Sequence, residues 1–110
     1  MTRLAPPPRS PNCVSSRAKP TDRLHYIAPL AHTTLDRIRS IVLAMPRTEV
    51  VEEDSEYLHV VFTTALFRFR DDVEFECDGE VVHVRSASRV GYSDLGTNRR
   101  RVESIRRALA

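Results

Sequence analysis

A chain of 110 residues, 41% apolar and 29% charged, is one globular domain, large enough to bury a core without metal or disulfide support. A net charge of +2 is too small to point to nucleic acid, and two cysteines without CxxC spacing, Cys13 and Cys77, exclude a disulfide framework. No apolar run reaches the roughly 18 residues of a membrane span and the Pro-rich start lacks the apolar stretch of a signal peptide, so the expected location is cytoplasmic.

Residues 1–24 read as an irregular N-terminal arm ahead of a single α+β domain at 25–110. Pro6, Pro7, Pro8, Pro11 and Pro20 remove amide donors and bias each preceding residue away from helix. Such a segment is a loose tail unless something fixes it, and burial of Cys13 would do so. The arm opens a basic region: residues 1–47 carry eight basic and two acidic side chains, residues 48–80 two and eleven, residues 81–110 seven and two. Segments of opposite sign in one small domain pair first with each other.

A helix is expected from about Thr34 to Ala44. Thr33 or Thr34 caps it, Leu35, Ile38, Val42 and Met45 share one face, and Pro46 stops it. Strands at 48–53 and 57–63 flank the polar turn Asp54-Ser55. Two further strands, 67–77 and 80–88, flank Asp78-Gly79, a dipeptide favoured in two-residue hairpin loops. With those two residues as the loop, Cys77 faces Glu80, Phe75 faces Val82 and Val73 faces Val84 on the buried side. Glu74 then faces His83 and Asp72 faces Arg85 on the other. Asp71 falls on the apolar side opposite Ser86, with Phe69 opposite Ser88. It therefore requires either a bulge or a cationic or hydroxyl partner. The four antiparallel strands should bury Leu58, Val60, Phe62, Phe69, Val73, Phe75, Val82 and Val84 under two helices on one face.

The last helix spans about Thr97 to Leu109, with Val102, Ile105 and Leu109 as its apolar stripe. Arg99, Arg100 and Arg101 occupy its first turn, where the helix dipole disfavours cations by about 0.3–1 kcal/mol each. Arginines held there need acidic partners or a ligand, and Asp94, Asp71 and Asp72 are the nearest acids. From Arg85 to Glu103 the chain carries five arginines, two acids, two glycines and Asn98, more directed hydrogen-bonding capacity than a surface loop needs.

Other constellations are thinner. His25, His32, His59 and His83 form no ligand spacing, so no metal or cofactor is assigned. Ser86 and Ser88 lack a nucleophile elbow, and no catalytic residue is assigned. Asp71, Asp72 and Glu74 could do acid–base work, but Arg85 and His83 opposite them point to neutralised pairs.

Taken together, several blocks resemble the family catalogued as domain of unknown function 1499. They are Pro-Asn-Cys-Val-Ser-Ser at 11–16, Ile-Ala-Pro-Leu at 27–30, Pro-Arg at 46–47 and Asp-Asp-Val-Glu-Phe at 71–75. The longest run, Arg-Ser-Ala-Ser-Arg-Val-Gly-Tyr-Ser-Asp-Leu-Gly, occupies 85–96, followed by Asn-Arg-x-Arg-Val-Glu at 98–103. The resemblance implies a small α+β domain, sometimes found behind a membrane anchor or targeting segment, and carries over no activity or cofactor.

The expected function is that of a non-enzymatic binding or accessory protein recognising a small anion or an acidic segment of a partner. Arg85, Arg89, Asn98, Arg99 and Arg101 would donate, with Asp71, Asp72, Glu74 and Asp94 positioning them. One alternative is a hydrolase or transferase using Asp72 or Glu74 with Cys13 or His83. Another is a purely structural interaction module.

Overall fold

The computed structural model describes residues 2–110. A six-stranded antiparallel sheet runs β1 (Cys13–Ser15), β6 (Val81–Ser88), β5 (Arg70–Asp78), β4 (Tyr57–Thr63), β3 (Thr48–Glu53), and β2 (Leu30–Ala31) pairs with β6 beyond the end of β1. Helices α1 (Leu35–Leu43) and α2 (Thr97–Leu109) cover one face. Thr34 caps α1, its hydroxyl accepting from the amide of Arg37 at 3.2 Å. No helix among the described residues is long and apolar enough to cross a membrane.

The α+β class and both helices follow the sequence reading; the sheet has six strands rather than four. The two extra strands are short and come from the segment assigned to loops. β1 lies inside the Pro-rich stretch, where Cys13, Val14 and Ser15 are all buried against β6. Three residues between prolines give too little periodicity to read as a strand.

The β5–β6 register also departs from expectation. Asp78 pairs with Val81, so the two-residue loop is Gly79-Glu80 rather than Asp78-Gly79. Only Gly79 in that loop has positive φ, at 64°, which is the pattern of a turn with glycine in its first central position. Moving the loop by one residue moves each partner by two, so inward and outward faces are kept while the pairs change. Val73 faces Ser86, Phe75 faces Val84, Glu74 faces Arg85 and Glu76 faces His83, and Asp72 lies opposite Ala87 rather than Arg85. Asp71 faces Ser88, and no bulge relieves it; the sheet's irregularity lies in β3, at Val51.

The core sits between the helices and the inner face. Leu58, Val60, Val73, Phe75, Val82 and Val84 from the sheet meet Ile38, Val42, Val102 and Ile105 from the helices. Each such side chain contributes about 1.5–3 kcal/mol on burial. Phe62 joins them, but Phe69 does not: β5 begins one residue later, and Phe69 is half-exposed beside Phe67. The outer face is covered by the arm. Thr2 and Arg3 donate to Glu76 at 2.6 Å, the Arg3 guanidinium lies 3.8 Å from the Tyr57 ring centroid, and Leu4 is buried.

Candidate functional site

Two polar networks occupy opposite faces of the sheet, and the residues expected to form one site are divided between them. On the inner face, Asn98 is fully buried at the start of α2, one turn before Val102. Its amide nitrogen donates to the carbonyl of Asn12 at 3.2 Å, the Ser88 hydroxyl at 2.9 Å and Asp94 at 2.6 Å. Its amide oxygen accepts from Ser86 at 2.7 Å and from Arg101 at 2.8 Å. One side chain thereby ties α2 to β6, β1 and the preceding loop.

Arg101 also pairs with Asp71, N to O at 2.7 Å, and its guanidinium lies 4.9 Å from the Phe62 ring centroid. Asp71 is 1% exposed, and neither of its oxygens receives a well-directed hydrogen bond. The Nη2 of Arg101 makes the contact with Oδ2 of Asp71, while its Nη1 donates to Ser86 and Asn98, so one guanidinium serves both the ion pair and the Asn98 network. Asp94 takes the place that an external anion would occupy at the α2 N-terminus. Its carboxylate accepts from the amides of Gly96 at 2.8 Å and Asn98 at 3.1 Å.

On the outer face, Arg89 grips Asp72 with two 2.9 Å hydrogen bonds and His59 adds a third contact at 2.8 Å. Arg89, then His59, hold the Asp72 carboxyl below the usual range. Glu74 accepts from the Tyr57 hydroxyl at 2.5 Å and lies 3.8 Å from Arg85, which reaches the Pro6 carbonyl at 3.5 Å. Burial, followed by Glu74, pushes the Tyr57 hydroxyl above its ordinary range.

The groups nominated for catalysis lie as follows. Burial raises the Cys13 thiol to about 11, which leaves it protonated and non-nucleophilic at neutral pH. His83 contacts the Ser16 hydroxyl at 2.8 Å and sits four residues along β6 from the position opposite Asp72. Among the described residues, no three His, Cys, Asp or Glu side chains are placed to share a metal ion.

Most of the nominated arginines are consumed internally. Arg99 donates to the carbonyls of Tyr26 at 2.9 Å and Leu24 at 3.3 Å, pinning the segment before β2. Two arginines outside the nominated set come together at one concavity. Arg47 and Arg100 have no carboxylate within 4.0 Å among the described residues and bond only neutral acceptors: Arg47 the Thr63 carbonyl, Arg100 the Leu95 carbonyl and the Thr97 hydroxyl. With Arg101 they line a concavity of about 380 Å³ that includes Phe62, Thr63, Thr64, Thr97 and Ser104 and no acid.

Spacing along α2 bears on this division. Asn98, Arg101, Val102 and Ile105 follow the i, i+3, i+4, i+7 pattern of a buried face, which leaves Arg100 outside. Arg47 entered the sequence reading only within the Pro-Arg block at 46–47; the fold places it beside α2.

A second concavity, also about 380 Å³, adjoins the first and shares Thr64 and Thr97 with it. Leu66, Phe67, Phe69, Val90 and Leu95 wall it, and Asp71 and Ser88 lie among its lining.

No curated protein and no solved structure matched the chain. The family model described as "Protein of unknown function (DUF1499)" matches residues 3–109, in agreement with the sequence blocks that fall in the Asn98 network and its flanking strands, and the chain belongs to that family.

Proposed function

We propose that the domain is a non-enzymatic binding or accessory protein that recognises a small anion in the concavity lined by Arg47, Arg100 and Arg101. The observation that carries this reading is the convergence of two arginines lacking acidic partners on a hollow that contains no carboxylate. Of the nominated arginines, Arg89 and Arg101 pair with acids and Arg99 donates to carbonyls, while Arg85 lies 3.8 Å from Glu74 on the outer face with its Nε unbonded. Arg101 supplies a fixed positive wall, held by Asp71, Ser86 and Asn98. Arg47 and Arg100 supply the remaining donors, and hydroxyls of Thr63, Thr97 and Ser104 add polar groups beside Met45, Pro46 and Phe62.

The hollow takes a single phosphate or carboxylate group more readily than an extended acidic segment. Gly96 contributes indirectly. It has a φ of 81°, and a Cβ there would lie 2.9 Å from a terminal nitrogen of Arg100, so glycine is what lets that guanidinium fold over the helix entrance.

The test is calorimetric titration of glycerol 3-phosphate into the protein and into Arg47→Ala/Arg100→Ala. Saturable binding by the parent, weakened tenfold or more in the variant with its melting temperature unchanged, supports the reading. Equal binding by both removes it.

A further inference from the structure

We infer that the ligand of this site is a single-chain anionic amphiphile bearing a hydroxyl near its head group, of the kind found in a monoacylglycerol phosphate. The inference rests on the anion reading above and adds what the neighbouring cavity requires. The two hollows adjoin and share Thr64 and Thr97 in their walls, so a head group held by Arg47 and Arg100 has an apolar compartment beside it.

That compartment is built from two loops at one end of the sheet. Leu66 is 80% exposed, Phe67 69% and Leu95 84%, and Phe67 stacks on Phe69 with ring centroids 5.5 Å apart. Large apolar side chains displayed together around a concavity mark a surface with an occupant. A cavity of this size falls in the range that takes small molecules, and its walls match an acyl chain rather than another polar group.

Asp71 specifies the hydroxyl. It lines the apolar compartment at 1% exposure, and neither oxygen accepts a directed hydrogen bond. Arg101 Nη2, 2.7 Å from Oδ2, already balances its charge, so the oxygen left without any donor is Oδ1, which calls for a neutral hydroxyl and not a second cation. Arg101 also lines the anion hollow, which puts Asp71 at the junction of the two compartments. An anionic group, a hydroxyl a few bonds away and then a chain is the order in which the three features occur. A free monomer satisfies it, whereas a flat bilayer surface would not bring a hydroxyl to a carboxylate so deeply placed.

The experiment compares, by calorimetry on the full chain, glycerol 3-phosphate with lauroylglycerol 3-phosphate below its critical micelle concentration, and with vesicles of diacyl phosphatidate. The chain should tighten binding tenfold or more, and Phe67→Glu, at an exposed position that leaves the core intact, should abolish that gain. Glycerol 3-phosphate binding with no gain from the chain overturns the amphiphile and leaves the anion site standing. Binding of neither compound overturns both. Binding to vesicles alone overturns the monomer site in favour of docking on a membrane surface.

Discussion

Asp71 and Arg101 form an ion pair at 2.7 Å across the interface between β5 and α2, in a position where the strand's alternation calls for an apolar side chain. The pair explains how an arginine-rich first turn is tolerated. Arg101 is drawn inward by a buried acid, and Asp94 places a carboxylate against the amides of that same turn. Removing one partner leaves a buried charge. Arg101→Met is expected to destabilise the fold by about 3–5 kcal/mol, and Asp71→Leu/Arg101→Met to recover most of that loss. Urea denaturation of the single and double variants measures it; a double variant as unstable as Arg101→Met would mean that the pair is not the source of the cost.

Asn98 is the hub of the inner network, with its oxygen and nitrogen serving five partners. Asn98→Ala leaves the Ser86 hydroxyl without its acceptor and removes one of the two donors to the Asn12 carbonyl, which keeps the Ser88 amide at 3.0 Å, and should cost about 2 kcal/mol. Amide exchange should also quicken at Asn12 and Ser88, whose segments it joins. Thermal melts and hydrogen exchange report both. Uniform protection at those positions would show that the β1 and β6 ends are held by other contacts.

His83 gives a pH dependence with a definite sign. Burial, then the charge of Arg17, lowers its affinity for a proton, with Asp78 and Glu76 opposing. Nδ1 lies 2.8 Å from the Ser16 hydroxyl, and in a neutral ring with its proton on Nε2 it accepts from that hydroxyl, a role closed to the protonated ring. A histidine whose folded value is depressed binds its proton first in the unfolded chain, so stability falls as pH drops below about 6.5 and levels off below the folded value. His83→Gln should flatten denaturation midpoints between pH 7 and pH 5, where carboxylates contribute little. An unchanged slope would show that His83 is not its source.

The cysteines should differ in reactivity. Cys13 is fully buried with its thiol raised to about 11, while Cys77 is partly exposed near the hairpin loop. In Cys77→Ser, Cys13 should react with Ellman's reagent only as fast as the chain opens, with a rate that rises with urea. Rapid labelling in native buffer would mean that the arm does not keep β1 covered.

How much of this was legible in the sequence differs by level. The helix limits, the α+β class and the inward and outward sides of the hairpin were readable, because apolar spacing fixes which face each side chain takes. The pairing along the hairpin was not. A loop at Asp78-Gly79 and one at Gly79-Glu80 preserve the same faces, so alternation cannot distinguish them, and Asp72 was matched to Arg85 in place of Glu74. The short strands β1 and β2 depend on the exposed edge of β6 for their existence and leave no period of their own. For the site, Asp71 stood out as an acid on an apolar face. The division of acids between the two faces was also implicit, since Asp71 and Asp72 are adjacent in a strand and must point opposite ways. Arg47 was visible only within the Pro-Arg block at 46–47 and was given no role, because only the tertiary fold brings the residue after Pro46 beside α2.

The account turns on where an anion binds, and the most direct measurement is a phosphate titration of ¹⁵N-labelled protein followed by amide and guanidinium shifts. The predicted result is saturable movement of signals from Arg47, Thr63, Thr97 and Arg100, with Arg85 and Arg89 unmoved. Movement centred on Arg99 and the Asp94 loop, or a response that never saturates, would contradict it.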